Sequence, residues 1–227
     1  MKGVLFDLDG TLIDSALDIA DSCNRIAQAH GYNPLPLTNL HPLVGRGSRG
    51  MMARITDLEE TSETVMQLRL EVLALYAESG YPNTRLFPGL RPLIQALNNS
   101  SILWGVVTSK PRRHSLQILG RDEDLASFRI LISLDDVSAI KPAPDGLLLA
   151  LDRLNLKPED VVFVGDNRVD MLAARRARVP SVGVGYGYCS EEDHPLNFDP
   201  DYYAQAPQDL TLLLAGLSNG QIELSGH

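Results

Sequence analysis

The chain has 227 residues, 44% of them hydrophobic and 22% charged, with a formal net charge of −9. That length holds one large domain, or one domain with a small insert, around a substantial core. The acidic balance disfavours nonspecific nucleic-acid binding, which needs a basic footprint, but it admits a small anionic ligand, because a few local cations and a metal can reverse the field inside a cleft.

The chain opens directly into an apolar strand pattern at Val4-Leu5-Phe6, without signal-peptide features. Its apolar runs, such as Gly146 to Leu151, are too short to span a bilayer. The two cysteines, Cys23 and Cys189, form no Cys-x-x-Cys pair and no Cys/His cluster, so they read as reduced thiols without zinc. The expectation is a cytoplasmic protein with no membrane or nucleic-acid partner.

Short apolar runs at Gly3–Phe6, Ile102–Val107, Ile130–Ser133 and Val161–Val164, with a weaker one at Ser181–Val184, do not alternate. Such runs suit strands buried on both faces of a parallel sheet. Helical patterns lie between them at Arg112–Leu119, Gly146–Leu154 and Asp170–Arg178. Strand–helix alternation predicts a doubly wound, Rossmann-like α/β core. From Leu12 to Phe87 no strand is evident. Leu17, Ile19, Ala20, Cys23, Ile26 and Ala27 fall on one helical face, and Val65, Leu68, Val72, Leu73 and Tyr76 on another. Asp14 or Ser15 is a candidate N-cap for the first helix; Gly31 and Gly80 are candidate stops. Residues 14–86 therefore read as a helical cap inserted after the first strand, over a discontinuous core of 1–13 and 87–227. In such sheets the ligand crevice lies at the carboxyl ends of the strands. The segment Gly216–His227 is small and polar and reads as a frayed tail.

The first strand runs into Asp7-Leu8-Asp9-Gly10-Thr11. Residues two apart on a strand share a face, so Asp7 and Asp9 can enter one site. Crowded carboxylates share a proton or a metal. An ionised Asp7 can attack phosphorus, and a protonated Asp9 can donate to the departing alkoxide and then serve as base. Gly10 allows a sharp turn close to a phosphate. Asp166, in Gly165-Asp166-Asn167-Arg168-Val169-Asp170, follows another buried strand. Asp7, Asp166 and the Asp9 carbonyl would suit magnesium. Asp170, one helical turn on, could orient Asp166 or a metal-bound water, or simply complement the helix dipole. Thr108 ends a strand, where its hydroxyl can reach a phosphoryl oxygen, and Lys141 offers charge to offset the aspartates.

In this order, Asp7/Asp9, Thr108, Lys141 and Asp166/Asp170 resemble the four motifs of the haloacid-dehalogenase-like hydrolase superfamily, in its phosphatase branch. The likeness spans residues 3 to 187 and includes a helical cap between the first two motifs. It implies Asp7 as nucleophile and Asp9 as acid/base, with Thr108 and Lys141 holding the phosphoryl group, Gly10, Thr11, Ser109 and Lys110 near the substrate, and magnesium held among Asp7, Asp9, Asp166 and Asp170. Leu43-Val44-Gly45-Arg46-Gly47, Val107-Thr108-Ser109-Lys110-Pro111 and Gly183-Val184-Gly185-Tyr186-Gly187-Tyr188 are most similar to bacterial phosphoglycolate phosphatases and their relatives. A related branch acts on N-acetylmuramic acid 6-phosphate. The chain departs from the pattern with Ser109 in place of Asn, Asn167 in place of Ser and Arg178 in place of Gly.

Arg46 and Arg49 lie in a glycine-rich cap segment, and arginine forks bind carboxylates and phosphates in pairs of hydrogen bonds. Both are candidates to read the far end of the substrate. The resemblance thus implies a magnesium-dependent phosphatase acting on a small phosphorylated metabolite, as monomer or homodimer. The alternatives are a sugar-phosphate phosphatase, a phosphomutase of the β-phosphoglucomutase type, or a catalytically silent binding protein on the same fold.

Overall fold

The structure, a computed structural model, describes residues 1–222. In chain order it comprises β1 (Gly3–Phe6), β2 (Ile13–Asp14), α1 (Ala16–Ala29), α2 (Leu37–Leu40), α3 (Gly47–Thr56), α4 (Glu63–Glu78), β3 (Arg85–Leu86), α5 (Arg91–Asn98), β4 (Leu103–Val107), α6 (Arg112–Leu119), β5 (Ile130–Ile132), α7 (Asp145–Leu154), β6 (Val161–Gly165), α8 (Arg168–Ala177), β7 (Ser181–Val184), β8 (Tyr202–Ala204) and α9 (Pro207–Leu217).

Six strands form one parallel sheet in the order β5-β4-β1-β6-β7-β8. β1 is central, with Phe6 level with Val106 on one side and Val164 on the other. The chain leaves β1 toward β4 and later returns to its other side at β6, so the strand order reverses at β1. That switch point is where such sheets open a crevice. The sheet is buried on both faces, as continuous apolar strands require. Val4, Phe6, Trp104, Val162 and Val182 face a core shared with α5, α6 and α9. Leu5, Val107, Ile132 and Phe163 face α7 and α8 through Leu147, Ala150, Ala173 and Ala174. Small residues on α8 let it lie close to the sheet.

α1, α3 and α4 pack against one another. Val65, Leu68, Val72 and Tyr76 of α4, with Ala20 and Cys23 of α1, belong to the same apolar cluster as the first sheet face. Packing is therefore continuous from these helices into the core.

Several sequence expectations need correction. Two short strands do lie between Leu12 and Phe87: β2 and β3 pair antiparallel, Ile13 with Leu86 and Asp14 with Arg85. β8 is a sixth parallel strand absent from the apolar runs. Leu17 points to solvent, 46% exposed, instead of joining the buried face of α1. Ser15 is the N-cap residue of α1, as one of the two candidates had it, but its side chain makes no cap bond. Arg178 adopts a left-handed backbone after α8, φ 58°, in the position where glycine is usual. The expected frayed tail instead begins inside α9, and Ser218 and Ile222 are buried; residues 223–227 of that stretch lie outside the described residues. Among the described residues, no helix is long and apolar enough to cross a membrane.

Candidate active site

The carboxyl ends of β1, β4 and β6 bring the motif residues together. Asp7 follows β1, and its amide still donates to Val164 O at 2.8 Å, which extends the ladder by one residue. Thr108 follows β4 and donates its amide to Ile132 O at 2.9 Å. Asp166 follows β6, where the chain turns into α8.

Carboxylate oxygens of Asp7, Asp166 and Asp170 lie within 4.8 Å of one another. Lys141 bridges two of them, with Nζ 2.6 Å from Asp7 Oδ1 and 2.7 Å from Asp170 Oδ1. Asp170 also accepts the Asn167 amide on Oδ2 at 3.1 Å, closing a capping box at the start of α8. It is thus both a helix-terminal charge, as one reading of Asp170 had it, and the anchor of Lys141, a contact that the sequence did not suggest. Asp166 Oδ2 accepts the Tyr188 amide at 2.8 Å, and Oδ1 accepts the Thr11 hydroxyl at 3.4 Å. Gly10, at φ 85°, and Gly187 pass so close to the Asp166 carboxylate that a Cβ at either would collide with it.

This crowding governs protonation. Burial pushes the Asp7 carboxyl up to about 7; Lys141 pulls against that shift while Asp170 adds to it. Burial raises Asp166 well above the usual carboxylate range, and Asp170 and Asp7 raise it further. Burial acts to lower Lys141, but the Asp170 and Asp7 carboxylates reverse the effect and hold it charged. Three carboxylates face one ammonium, an excess of negative charge that a hard cation would relieve. The donor set fits such an ion. Asp7, Asp166 and Asp170 each offer it a carboxylate oxygen.

Asp9 points away from this cluster. Its Oδ1 accepts the Ser15 hydroxyl at 2.5 Å and the Lys110 ammonium at 2.9 Å. Lys110 is itself buried; its ammonium also donates to Tyr76 Oη of α4 at 3.2 Å and lies 4.6 Å from that ring's centroid. The Thr108 hydroxyl oxygen accepts the Lys110 amide at 3.1 Å, which keeps its proton available for another acceptor. Ser109 is exposed beside it.

Arg46 and Arg49 are not brought to the aspartates. Both close on Glu60, at 2.6 Å and 3.2 Å, and both side chains are about half exposed. Arg46 borders a groove of about 470 Å³ on α3, lined also by Leu43, Arg54 and Leu58. Gly45 is the part of this segment that reaches the core, where a Cβ would collide with the Asn167 amide group. Ser15, Tyr76 and Tyr188 escaped the sequence reading as site residues. Only the Gly-Tyr-Gly-Tyr spacing, in which a glycine next to an aromatic permits close approach, hinted at Tyr188.

Compared with known proteins, residues 4–184 match the family described as Haloacid dehalogenase-like hydrolase. The chain is 35% identical over 210 residues to an N-acetylmuramic acid 6-phosphate phosphatase of Pseudomonas aeruginosa, covering 92% of this chain and 93% of that one. It is also 35% identical over 210 residues to a phosphoglycolate phosphatase of Xanthomonas campestris, covering 92% and 94%. A crystal structure of a predicted phosphoglycolate phosphatase from Haemophilus somnus superposes with a TM-score of 0.83 at 25% identity, covering 94% of this chain and 98% of that one.

Proposed function

The chain belongs to the haloacid dehalogenase-like hydrolase family, and from that premise we propose that it is a magnesium-dependent phosphomonoester hydrolase carrying the phosphoryl group on Asp7. It is a phosphatase of that family. The observation that carries the finer reading is the gathering of Asp7, Asp166 and Asp170 within 4.8 Å around the end of the central strand, with Lys141 against Asp7.

An Asp7 carboxylate oxygen forms a bond to phosphorus as the bond from phosphorus to the ester oxygen breaks. Asp9 hands a proton to the departing oxygen, then takes one from the water that attacks phosphorus, releasing inorganic phosphate and free Asp7. Lys141 and the Thr108 hydroxyl hold phosphoryl oxygens, and Gly10 and Thr11 line the approach. Asp170 keeps Lys141 in place. Magnesium held by Asp7, Asp166 and the Asp9 carbonyl would offset the charge of the phosphoryl oxygens.

Residues 14–86 act as a cap over the core of 1–13 and 87–227, excluding water from the crevice. The substrate is a small phosphorylated metabolite, with phosphoglycolate first. Lys110, not Arg46, is the cation nearest the acid/base. A second reading, a sugar phosphate such as N-acetylmuramic acid 6-phosphate, draws on the Pseudomonas relative.

The test is phosphate release with magnesium from phosphoglycolate, N-acetylmuramic acid 6-phosphate, hexose phosphates and nucleotides, ranked by kcat/KM. Phosphoglycolate should lead by about a hundredfold, roughly 2.7 kcal/mol of transition-state preference. A leading sugar phosphate would move the substrate to the second reading, and return of the phosphoryl group to a sugar instead of water would make the enzyme a mutase.

A further inference from the structure

Tyr188 has no chemical role in the scheme above, yet it touches both the carboxylate cluster and the linker to the cap. It is almost fully buried. Its amide donates to Asp166 Oδ2 at 2.8 Å. Its ring packs on Gly10, where a Cβ would meet Cδ2, and lies edge-on to His41 with centroids 4.8 Å apart. Its hydroxyl donates to Asp14 Oδ1 at 2.5 Å and accepts from the amides of Ser15 at 2.7 Å and Ala16 at 3.3 Å.

Those three partners form the first crossing of the chain from core to cap. The amides at the start of α1 have no intrahelical acceptor, and a side chain at the N-cap normally supplies one. Ser15 cannot do so here because its hydroxyl is turned to Asp9. The Tyr188 oxygen, 173 residues on, instead accepts from the amides of Ser15 itself and of the first helical residue, Ala16. The second crossing is bound to the first. Asp18 of α1 accepts from the amides of Asn83 and Thr84 and from both their side chains, at 2.7 to 3.2 Å, and β2 pairs with β3. The two crossings therefore form one unit, tied to the core by the Tyr188 hydroxyl and by Ser15 on Asp9.

We infer that Tyr188 is a positioning residue that sets the cap linker through its hydroxyl and Asp166 through its amide, so that neither shifts without the other. The inference rests on the phosphatase reading for its kinetic consequence. Without the hydroxyl, the Ser15 amide loses its acceptor and the Asp14 carboxylate its short hydrogen bond, and the Ala16 amide keeps only the 3.4 Å contact with Asp14 Oδ1. The linker then resettles, and Ser15 and Asp166 move relative to Asp7.

The experiment compares Tyr188→Phe, which keeps ring and amide, with the wild-type enzyme. Expected are a kcat about tenfold lower with KM within about twofold, and a raised magnesium concentration for half-activation. Amide hydrogen exchange over residues 12–18 should be about tenfold faster. Asp14→Ala should reproduce these effects, while Asp14→Asn, which retains an acceptor for the hydroxyl, should keep kcat within about twofold of wild type. Wild-type kcat, magnesium dependence and exchange in Tyr188→Phe would overturn the inference. If that variant does not fold, wild-type behaviour of Asp14→Ala overturns it equally. If the wild-type protein releases phosphate from no monoester, the phosphatase reading fails, and the exchange comparison still decides whether Tyr188 holds the linker.

Discussion

The ammonium of Lys141 sits 2.6 Å from Asp7 Oδ1 at the carboxyl end of the central strand, and only 5% of the lysine side chain is exposed. A buried cation this close to a carboxylate is costly to desolvate and is kept only when the pair is well matched. Here Asp170 completes the match from α8. The same ammonium has donors to share with a phosphoryl oxygen, so in the proposed reaction one lysine would both offset the carboxylates and receive the substrate.

Lys141→Met should therefore lower kcat/KM by on the order of 10³, the scale of a lost transition-state donor. Lys141→Arg should not restore it, because a planar fork does not fit the space of a compact ammonium. Steady-state phosphate release checks both. Activity of Lys141→Met near wild type would remove Lys141 from the phosphoryl site.

The carboxylate cluster should make the metal-free protein less stable at higher pH. Asp7 is raised from 3.8 in the unfolded chain to about 7 in the fold, so the folded state binds its proton more tightly. Its contribution is fully present below about 4 and is lost as pH rises through about 7. Asp7→Asn lacks this titration. The stability difference, wild type minus variant, should fall by on the order of 1 to 3 kcal/mol between pH 4 and pH 8 in chelator. Urea unfolding measures it, and a flat difference contradicts the shift. Magnesium should raise the wild-type Tm at pH 8 more than that of Asp7→Asn.

Asp18 should matter to stability out of proportion to its distance from the chemistry. It is 4% exposed, and Asp18→Ala leaves the amides and side-chain donors of Asn83 and Thr84 without an acceptor. A loss of about 2 to 4 kcal/mol in urea unfolding is expected. A loss below about 0.5 kcal/mol would mean that the second crossing is held elsewhere.

Arg46→Ala should be nearly silent. Its partner Glu60 also holds Arg49, and half-exposed ion pairs contribute about 0 to 1 kcal/mol. Tm should fall by only a few degrees, and KM for phosphoglycolate should stay within about twofold. A tenfold rise in KM would restore the arginine to the substrate.

The parts legible in the sequence were those with local signatures. β1, β4, β6 and β7 are buried on both faces and so read as unbroken apolar runs. Asp7, Asp166 and Thr108 were legible because each directly follows such a run. β2 and β3 have two residues each, too few for any periodicity. β8 is half exposed, and Pro200 and Asp201 precede it. Arg46 and Arg49 were read as candidate substrate ligands from residue type in a glycine-rich segment; Glu60, with which both pair, lies more than ten positions away in sequence. The contacts of Ser15 with Asp9 and of Tyr188 with Asp14, Ser15 and Asp166 depend on how the chain closes over the sheet, and no local pattern announces them.

The most direct test of the central claim is phosphate release from para-nitrophenyl phosphate with magnesium by the wild-type enzyme and by Asp7→Asn, with folding of both verified by Tm. The account predicts magnesium-dependent turnover by the wild type and a loss on the order of 10⁴-fold or more in the variant, as for removal of a nucleophile. Comparable turnover by a folded Asp7→Asn would contradict it.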